Sequence, residues 1–333
     1  MLLHLALALA AGAPAAAPDA LACTGGPPRP GVKSQCSLPI ADAASRARRG
    51  PPEVRHFELY LPNSTAAEAP PLLPIMMHFH GQHVGPPAAQ LGDGPTQPYE
   101  ALADILGFVV VFPLGMDDVD GPKGQDCGTG WNVAGAHAPS SCVLAKAKSA
   151  SCCYTSCRQL GVCAGDGALG NCSWSTCHDD VLFVKTLLAQ LRSSLPGVVS
   201  PSRAFATGDS NGGMLTFTLA SDPALASTFE AIVPVYGGIL QGQLGALPTQ
   251  ARIMTIHGRK DTEIPVAGGE ARDGWLYTPE RAVLEAWARA RGCWGGGESR
   301  PFPTPFDATL GSNLTCVRWD SCAVPTVVQC LCE

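Results

Sequence analysis

The segment from Arg203 to Leu219 constrains the fold more than any other part of the chain. A short apolar run, Ala204-Phe205-Ala206-Thr207, is followed by the turn Gly208-Asp209-Ser210-Asn211-Gly212-Gly213 and then by a helical pattern. A serine on such a strand-to-helix turn needs glycines on both sides, because the strand and the helix pack closely there. The turn exposes the hydroxyl and points the helix N-terminus at developing negative charge. We therefore predict that Ser210 is a nucleophile.

Strand and helix patterns alternate along most of the remaining sequence. Short apolar, β-branched runs typical of buried strands alternate with longer amphipathic patterns. The strand runs lie at residues 54–61, 72–79, 107–113, 203–207, 231–236, 252–256 and 326–331, and the helical patterns at 99–106, 178–195, from 212 onward and at 279–291. Such alternation gives βαβ units and a mostly parallel sheet with both faces covered. The sequence predicts an α/β fold, a three-layer sandwich, over residues 53–333.

The N-terminus and the cysteines favour an exported protein. Residues 2–11 are nearly all Leu and Ala, and Ala20-Leu21-Ala22 resembles a cleavage site, so we predict a signal peptide at residues 1–22. An uncleaved anchor helix is the alternative, but the run is short and Pro14 interrupts it. The 15 cysteines suit disulfides outside the cytosol, and their odd number leaves one without a partner in the chain. We expect a secreted protein with no membrane span after cleavage.

Two segments depart from the alternating pattern. Residues 23–52 are rich in Pro and Gly and predict an irregular arm, in which Cys23 and Cys36 are candidates for a disulfide. Residues 121–177 contain eight of the 15 cysteines and predict a disulfide-stapled insertion. Loops at the carboxyl edge of an open α/β sheet shape its ligand site, and we expect the insertion there.

Surface features exclude some functions. The net charge is −6 and the lysines and arginines are scattered, so the sequence does not indicate a nucleic-acid partner. Three N-x-[ST] sequons, at Asn63, Asn171 and Asn313, are predicted glycosylation sites. No motif indicates a cofactor, and nothing indicates an oligomeric state.

A second motif, His-Phe-His-Gly-Gln at residues 78–82, ends an earlier strand run. A loop in this position supplies one backbone N–H to an oxyanion hole, and the residue after the nucleophile supplies the other. The predicted donors are the backbone amides of Gln82 and Asn211. A metal cluster of His78, His80 and His83 is the alternative. We expect no metal, because alternate residues of a strand point to opposite faces.

A third motif, His257-Gly258-Arg259-Lys260-Asp261, directly follows the strand run 252–256. A carboxylate that comes after the nucleophile in the chain suits the order serine, acid, histidine, and it would orient the histidine. We predict that Asp261 is this acid, with Asp273 and Glu263 as its rivals.

Taken together, the motifs resemble the secreted esterases of carbohydrate esterase family one, which include feruloyl esterases, acetyl xylan esterases and polyhydroxybutyrate depolymerase-like proteins. The resemblance covers the chain from about Val54 onward. It rests on His80-Gly81-Gln82, Gly130-Trp131-Asn132, Cys152-Cys153, Asp179-Asp180-Val181, Gly208 to Met214 and His257-Gly258-x-x-Asp261. The resemblance implies an α/β-hydrolase fold, a serine esterase activity on polysaccharide-linked esters or polyester, and a substrate-side position for Trp131 and Asn132.

The sequence departs from this family at the catalytic histidine. The family carries it near the C-terminus, whereas no histidine follows His257 here. This predicts either a C-terminally truncated esterase or a catalytically inactive scaffold that binds esters or polysaccharide. Replacement by His80, His83 or His137 is a further alternative, because a triad is defined by geometry rather than by chain order. A serine peptidase on the same fold is the third functional hypothesis.

Overall fold

The computed structural model describes residues 21–42, 46, 51–66, 72–82, 97–117, 129–133, 156, 175–242, 251–272, 275–293, 314–319 and 327–333. Most of the predicted insertion 121–177 and residues 1–20 of the predicted signal peptide 1–22 lie outside these ranges. The strands are β1 (Ala22–Cys23), β2 (Lys33–Ile40), β3 (Glu53–Tyr60), β4 (Leu73–Phe79), β5 (Val109–Pro113), β6 (Met116–Asp117), β7 (Thr129–Gly130), β8 (Val199–Asp209), β9 (Ala231–Val235), β10 (Arg252–Gly258), β11 (Gly269–Glu270), β12 (Leu276–Tyr277), β13 (Leu314–Trp319) and β14 (Val327–Cys332). The helices are α1 (Gln97–Leu106), α2 (Asp180–Ser194), α3 (Asn211–Ser221) and α4 (Glu280–Ala290), with a 3-10 turn at Asn63–Ala66.

Ten strands form one mixed sheet in the order β1-β2-β3-β5-β4-β8-β9-β10-β14-β13. The six central strands, β5 to β14 in that order, pair in parallel, and the outer pairs on both sides are antiparallel. Parallel strands need crossover connections, and α2 and α3 occur between consecutive strands of this central part. The mostly parallel α/β sheet predicted from the alternating pattern is confirmed.

Both faces of the sheet are covered by side chains and helices. In β5, Val109 and Val111 join the main hydrophobic core together with apolar residues of α2. Their neighbours Val110 and Phe112 join a separate cluster with Ala103 of α1. Successive strand residues point to opposite faces, so α1 and α2 lie on opposite sides of the sheet. This explains why β5 is a continuous apolar run rather than an alternating one.

The predicted irregular arm at residues 23–52 is wrong in its central part. Strand β2 runs for eight residues from Lys33 to Ile40 and pairs antiparallel with β3, so the sheet begins before residue 53. The inward residues Ser34, Cys36, Leu38 and Ile40 alternate with more exposed ones. Strand β1 pairs only with Cys36 and Ser37, which leaves the Pro39 end of β2 as an edge where a missing N–H is tolerated.

Disulfides link the strand pairs at the two ends of the sheet. Cys23 and Cys36 are cross-strand partners in β1 and β2, and they form the disulfide that their positions suggested. Cys316 and Cys330 occupy the equivalent arrangement in β13 and β14. Among the described cysteines, Cys332 has a free thiol. Each disulfide therefore stabilises an outer strand that has a neighbour on one side only.

Candidate active site

Ser210 lies between the last residue of β8 and the first residue of α3, at the carboxyl edge of the parallel strands. Its backbone has φ 52° and ψ −118°, and Tyr236 is the only other described non-glycine residue with a positive φ. The Ser210 N–H donates to the Val235 carbonyl at 3.0 Å, and its own carbonyl accepts from Met214 at 2.9 Å. A non-glycine residue in this region is strained, and such strain occurs mainly at functional sites.

The glycines around Ser210 are required by close approaches between backbones. A Cβ on Gly208 would lie 2.6 Å from the Gly212 carbonyl, and one on Gly212 would overlap the carbonyl oxygens of Phe79 and His80. A Cβ on Gly213 would lie 2.8 Å from the Val235 carbonyl oxygen. The sequence requirement inferred for a strand-to-helix serine turn is thus met by three backbone contacts, and these contacts hold Ser210 in its strained conformation.

The loop after β4 passes beside Ser210. A Cβ on Gly81 would lie 3.5 Å from the Ser210 Cβ, so the backbone at residues 80–82 borders the serine side chain. Asn211 is the first residue of α3, and its backbone N–H belongs to the N-terminal groups that have no partner within a helix. The segment that contains Gln82 and the helix N-terminus that contains Asn211, the two predicted oxyanion donors, therefore both adjoin Ser210. Their role remains a prediction.

Trp131 and Asn132 hold these loops from inside the protein. Trp131 is fully buried, its indole N–H donates to the His80 carbonyl at 2.8 Å, and its backbone N–H donates to the Asn211 Oδ1 at 2.8 Å. Asn132 is also buried and donates its side-chain amide to the His178 carbonyl at 2.9 Å. Trp131 thus connects the serine turn to the loop after β4, and Asn132 connects the same segment to the residues before α2. A direct substrate contact by either side chain stays a prediction.

A buried ion pair anchors the same segment. Arg55 donates to Asp180 at 2.6 Å, both side chains are about 1% exposed, and the guanidinium lies 4.1 Å from the ring centroid of Phe183. The second oxygen of Asp180 accepts the backbone N–H of Asn132 at 2.6 Å. A buried carboxylate needs such partners to remain charged. Asp180 therefore fixes the Trp131 loop, while Asp179 caps α2 by accepting from Leu182.

Two neutral histidines support the serine side of the site. The His80 Nε2 accepts the backbone N–H of Gly115 at 2.9 Å, so this nitrogen carries no proton, and the Nδ1 lies 2.6 Å from the Gly81 carbonyl. Burial lowers the pKa of His80 to about 4. Burial, together with repulsion from the His80 ring in its protonated form, lowers the pKa of His78 to about 4 as well. His78 packs against Tyr99 and Phe112, and its Nε2 lies 3.6 Å from Asp209.

These contacts bear on the alternatives for His80. Its two ring nitrogens face Gly115 and Gly81, so it is placed to shape the loop rather than to take a proton from Ser210. His78 and His80 have different polar partners, and within the described ranges no group of three or more His, Cys, Asp or Glu side chains is arranged to hold a metal ion. His83 and His137 lie outside the part of the chain that the structure describes.

Asp261 lies just beyond the end of β10, on the same edge of the sheet as Ser210. Its Oδ1 accepts the backbone N–H groups of Glu263 and Ile264, both at 2.9 Å, and its Oδ2 lies 3.4 Å from the His257 Nε2. Its rival Glu263 instead pairs with the exposed Arg272 at 2.6 Å. Asp273 lies outside the described residues. Asp261 is thus a carboxylate fixed in orientation, as the acid of a triad requires.

His257 lies beneath Asp261 in a buried polar network. Its Nδ1 lies 2.8 Å from the Glu280 Oε2, and its Nε2 lies 2.8 Å from the Ile264 carbonyl. The Glu280 Oε1 accepts from Thr255 at 2.9 Å and from Gln329 at 2.8 Å. Both ring nitrogens face acceptors, so both are donors and the ring is an imidazolium. Burial opposes this charge, but the bond to Glu280 and its charge, with smaller contributions from Ile264 and Asp261, raise the pKa of His257.

The other described histidines are also placed away from Ser210. The His178 Nδ1 lies 3.0 Å from the Asp42 Oδ2 in a buried pair, and the Asp179 N–H donates to the same oxygen. His56 is on β3, where it pairs in register with Ser37 of β2. Within the described ranges, no histidine ring is within hydrogen-bonding distance of the Ser210 hydroxyl. The general base that the sequence analysis found missing is therefore not supplied by these residues.

Sequence reasoning missed several residues that shape the site. Glu280, Asp42 and Arg55 all act through partners distant in the sequence, which no local motif reveals. Tyr236 follows β9, has a positive φ of 35°, and is 41% exposed. Burial, together with the charges of Asp209 and Asp261, raises the pKa of Tyr236. Its position at a strand end before two glycines is the one signal that could have identified it.

The remaining predictions concern the surface. Asn63 is exposed, and its Nδ2 donates to Asp104 at 2.9 Å, while Asn171 and Asn313 are not among the described residues. None of the described helices is both long and apolar enough to cross a membrane.

Comparisons with known proteins agree with this architecture. No protein-family model and no curated protein matches the sequence. The acetyl xylan esterase from Aspergillus awamori superposes with a TM-score of 0.50 at 14% identity, over 90% of this chain and 92% of that one. The S-formylglutathione hydrolase from Agrobacterium tumefaciens superposes with a TM-score of 0.44 at 12% identity, over 77% and 83%. The sheet order, the strained serine turn and the first of these similarities show that the chain has the α/β-hydrolase fold.

Proposed function

We propose that the protein is a secreted carboxylic-ester hydrolase in which Ser210 is the nucleophile. One observation carries the proposal: Ser210 is held at a positive φ of 52° on the turn between β8 and α3, with the loop at Gly81 beside its side chain. The conformational strain is maintained by backbone contacts around Gly208 and Gly212 that only glycine permits. A strained serine at the carboxyl edge of an α/β sheet suits acyl transfer.

The proposed reaction follows from this geometry. The Ser210 Oγ attacks the ester carbonyl carbon while its proton passes to a base, and the carbonyl oxygen becomes an oxyanion that accepts from the amides of Asn211 and Gln82. Collapse of this intermediate expels the alcohol, which takes a proton, and leaves an acyl-serine. Water then attacks the acyl-serine and releases the acid. Asp261 would orient a histidine base, which none of the described histidines supplies to Ser210.

The substrate class rests on the motif resemblance. The resemblance to feruloyl and acetyl xylan esterases supports polysaccharide-linked esters or polyester as substrates. The structural neighbour from Aspergillus awamori is named an acetyl xylan esterase, which agrees with this class. We further propose that Trp131 and Asn132 shape the substrate side of the site, since Trp131 bonds to the loop that follows β4 and to Asn211, and Asn132 fixes the same segment to His178.

Secretion and glycosylation are part of the same proposal. Disulfides at both ends of the sheet, Cys23–Cys36 and Cys316–Cys330, suit an oxidising compartment. A signal peptide at residues 1–22 would deliver the chain there. Of the three sequons, Asn63 is exposed and its side-chain amide bonds to Asp104, so a glycan on this nitrogen would keep one N–H for that bond.

A second candidate function is an inactive α/β-hydrolase that binds esters without cleaving them. The placement of the histidines favours it, because His78, His80, His178 and His257 all have other partners. Without its base, a serine site of this kind retains only the catalysis that the oxyanion donors and binding provide, about 10³-fold over water. The two candidate functions predict the same fold but different rates of ester hydrolysis.

Hydrolysis of p-nitrophenyl acetate and methyl ferulate tests the choice. Each ester is offered to the protein and to Ser210→Ala, with and without added imidazole, which can act as an external base. The hydrolase proposal predicts turnover without imidazole that is lost in Ser210→Ala. Turnover that appears only with imidazole, and still requires Ser210, indicates an intact serine site without a base and supports the second function. If the folded protein shows no rate above Ser210→Ala in either condition, the nucleophile assignment fails.

A further inference from the structure

Tyr236 directly follows β9, at the same edge of the sheet as Ser210. Strands β8 and β9 pair in parallel, with Asp209 opposite Val235. The residues that come next along the two strands, Ser210 and Tyr236, therefore lie side by side. The Ser210 N–H donates to the Val235 carbonyl at 3.0 Å, which fixes this alignment. Because neighbouring strands are about 5 Å apart, the backbone of Tyr236 is close to that of the candidate nucleophile.

The fold holds Tyr236 in a conformation that is costly for a bulky residue. Its φ is 35°, in the region that residues with large side chains avoid. Its N–H donates to the Ile256 carbonyl of β10 at 2.7 Å. The next residue packs closely on α3, since a Cβ on Gly237 would lie 2.5 Å from the Gly213 carbonyl carbon. These contacts fix the backbone while the residue itself remains exposed, and strain of this kind occurs mainly at functional sites.

Asp209, the residue before the nucleophile, brings a carboxylate to the same edge. Its Oδ2 lies 3.6 Å from the His78 Nε2, and its side chain is 36% exposed. The His78 ring is neutral because burial lowers its pKa to about 4, so it supplies no positive charge to the carboxylate. Within the described residues, no donor forms a hydrogen bond with the Asp209 carboxylate. An accessible acceptor therefore lies beside Ser210.

Two phenols respond to this carboxylate. Burial, followed by the charge of Asp209, raises the pKa of Tyr99 to about 12. Burial, followed by the charges of Asp209 and Asp261, raises the pKa of Tyr236. A charge acts in this way mainly at short range. Tyr236 and Asp209 therefore border the same part of the surface beside Ser210, where an exposed aromatic ring adjoins a carboxylate.

An aromatic ring beside a carboxylate suits a particular class of ligand. The Tyr236 ring offers an apolar face on which a second ring can pack. An ionised carboxylate accepts hydrogen bonds and donates none, and a hydroxyl bonds to it more strongly than to a neutral acceptor. A ring that carries a hydroxyl group satisfies both residues. An anionic ligand would instead be repelled by Asp209.

We infer that Tyr236 and Asp209 form a specificity subsite for a hydroxyl-bearing ring attached to the ester. The ring packs on Tyr236, and its hydroxyl donates to Asp209 while the ester carbonyl lies at Ser210. The ring belongs either to a sugar on the alcohol side or to a phenolic acyl group. The inference rests on the proposed function for the position of the carbonyl. The two residues act on binding and take no part in the chemical steps.

Equilibrium binding to Ser210→Ala tests the subsite without requiring turnover. The first pair of probes is methyl ferulate and methyl dimethoxycinnamate, in which the phenolic hydroxyl is methylated. The second pair is a monoacetylated methyl xyloside and the same ester with its remaining hydroxyls methylated. We expect the hydroxyl-bearing member of at least one pair to bind about tenfold more tightly. A preference in the first pair indicates an acyl ring and one in the second a sugar; either supports the subsite.

Further variants on the Ser210→Ala background assign the preference to the two residues. Asp209→Asn should reduce the preference from about tenfold to less than about threefold, because the charged acceptor is lost. Tyr236→Ala should weaken the binding of both members of the pair about three- to tenfold, whereas Tyr236→Phe, which keeps the ring, should bind like the parent. Asp222→Asn is the matched control, because it removes a carboxylate at the other end of α3 and should leave binding unchanged.

The subsite is overturned if neither pair binds with a preference for the hydroxyl. It is also overturned if Asp209→Asn and Tyr236→Ala, with unchanged melting temperatures, bind both pairs as the parent does. Native protein that shows no Ser210-dependent turnover, while these variants still change binding, contradicts the hydrolase but supports the subsite. Turnover that requires Ser210, with the same KM for both ester pairs in Tyr236→Ala and the native protein, contradicts the subsite alone.

Discussion

On the Ser210 side of the carboxyl edge, His78 and His80 lie among aromatic rings and a donating backbone N–H, whereas on the Asp261 side His257 lies between a carboxylate and a carbonyl. The same residue type is therefore neutral on one side and charged on the other. The pKa of His80 is lowered to about 4, and the pKa of His257 is raised. Ser210 is surrounded by close backbone contacts and neutral rings, whereas Asp261 adjoins the buried pair of His257 and Glu280.

The serine side of the site should lose folding stability when a methyl group is introduced at a close backbone contact. In Gly212→Ala the new methyl group would overlap the carbonyl of Phe79, and neither atom can move without displacing β4 or α3. We expect a loss of more than about 4 kcal/mol in the free energy of unfolding, or no folded protein. Chemical denaturation measures this. Gly197→Ala is the control, because a Cβ there meets nothing within 4 Å; equal stability of both variants would contradict the packing described for the turn.

The Asp261 side of the site should lose folding stability when the carboxylate that pairs with His257 is removed. Glu280→Gln keeps the size of the side chain but leaves the His257 imidazolium without its carboxylate, in a position about 1% exposed. We expect a loss of about 3 kcal/mol in the free energy of unfolding. Glu285→Gln, which removes an exposed carboxylate from the same helix, should cost less than about 0.5 kcal/mol. The double variant that combines Glu280→Gln with His257→Gln should lose less free energy of unfolding than the sum of the losses in the two single variants.

The smallest predicted effect concerns the titration of the histidines on the two sides of the site. Because the folded pKa of His257 is raised above 6.5, its contribution to stability is full below pH 6.5 and is lost as the pH rises through the folded pKa. The pKa values of His78 and His80 are lowered, so these two destabilise the fold as the pH falls from 6.5 towards 4. Imidazole NMR resonances at pH 6 should show one imidazolium ring at His257 and neutral rings at His78 and His80. If all three rings titrate together near pH 6.5, the predicted difference in histidine pKa between the two sides is contradicted.

The parts of the site that the sequence predicts are local ones. The serine turn is encoded within Gly208–Gly213, and the buried strands are visible as β-branched runs such as Val109–Pro113. Strand β2 was missed because Pro39 and the flanking glycines masked the inward alternation of Ser34, Cys36, Leu38 and Ile40. Strand β13 was missed because its sequence contains no apolar run that distinguishes a strand from a loop.

The charge state of the acid side could not be predicted in this way. His257 meets Glu280 only because α4 packs beside β10 and β14, and the two residues are 23 positions apart. His178 and Asp42 are 136 positions apart. Likewise the buried Asn132 bonds through its backbone N–H to Asp180, which is itself paired with the distant Arg55. Partners of this kind are set by the fold, so a motif indicates the residue but not its protonation or its exposure.

The most direct test of the central claim is to identify which residue reacts with a serine-directed organophosphonate. Peptide mass mapping after incubation should find a single adduct on Ser210, and none on Ser210→Ala. The reagent needs a nucleophile beside oxyanion donors, and the proposed function assigns that role to Ser210, which has a φ of 52° and lies beside the loop at Gly81. An adduct on another residue, or a folded protein that remains unlabelled with imidazole present, would contradict the account.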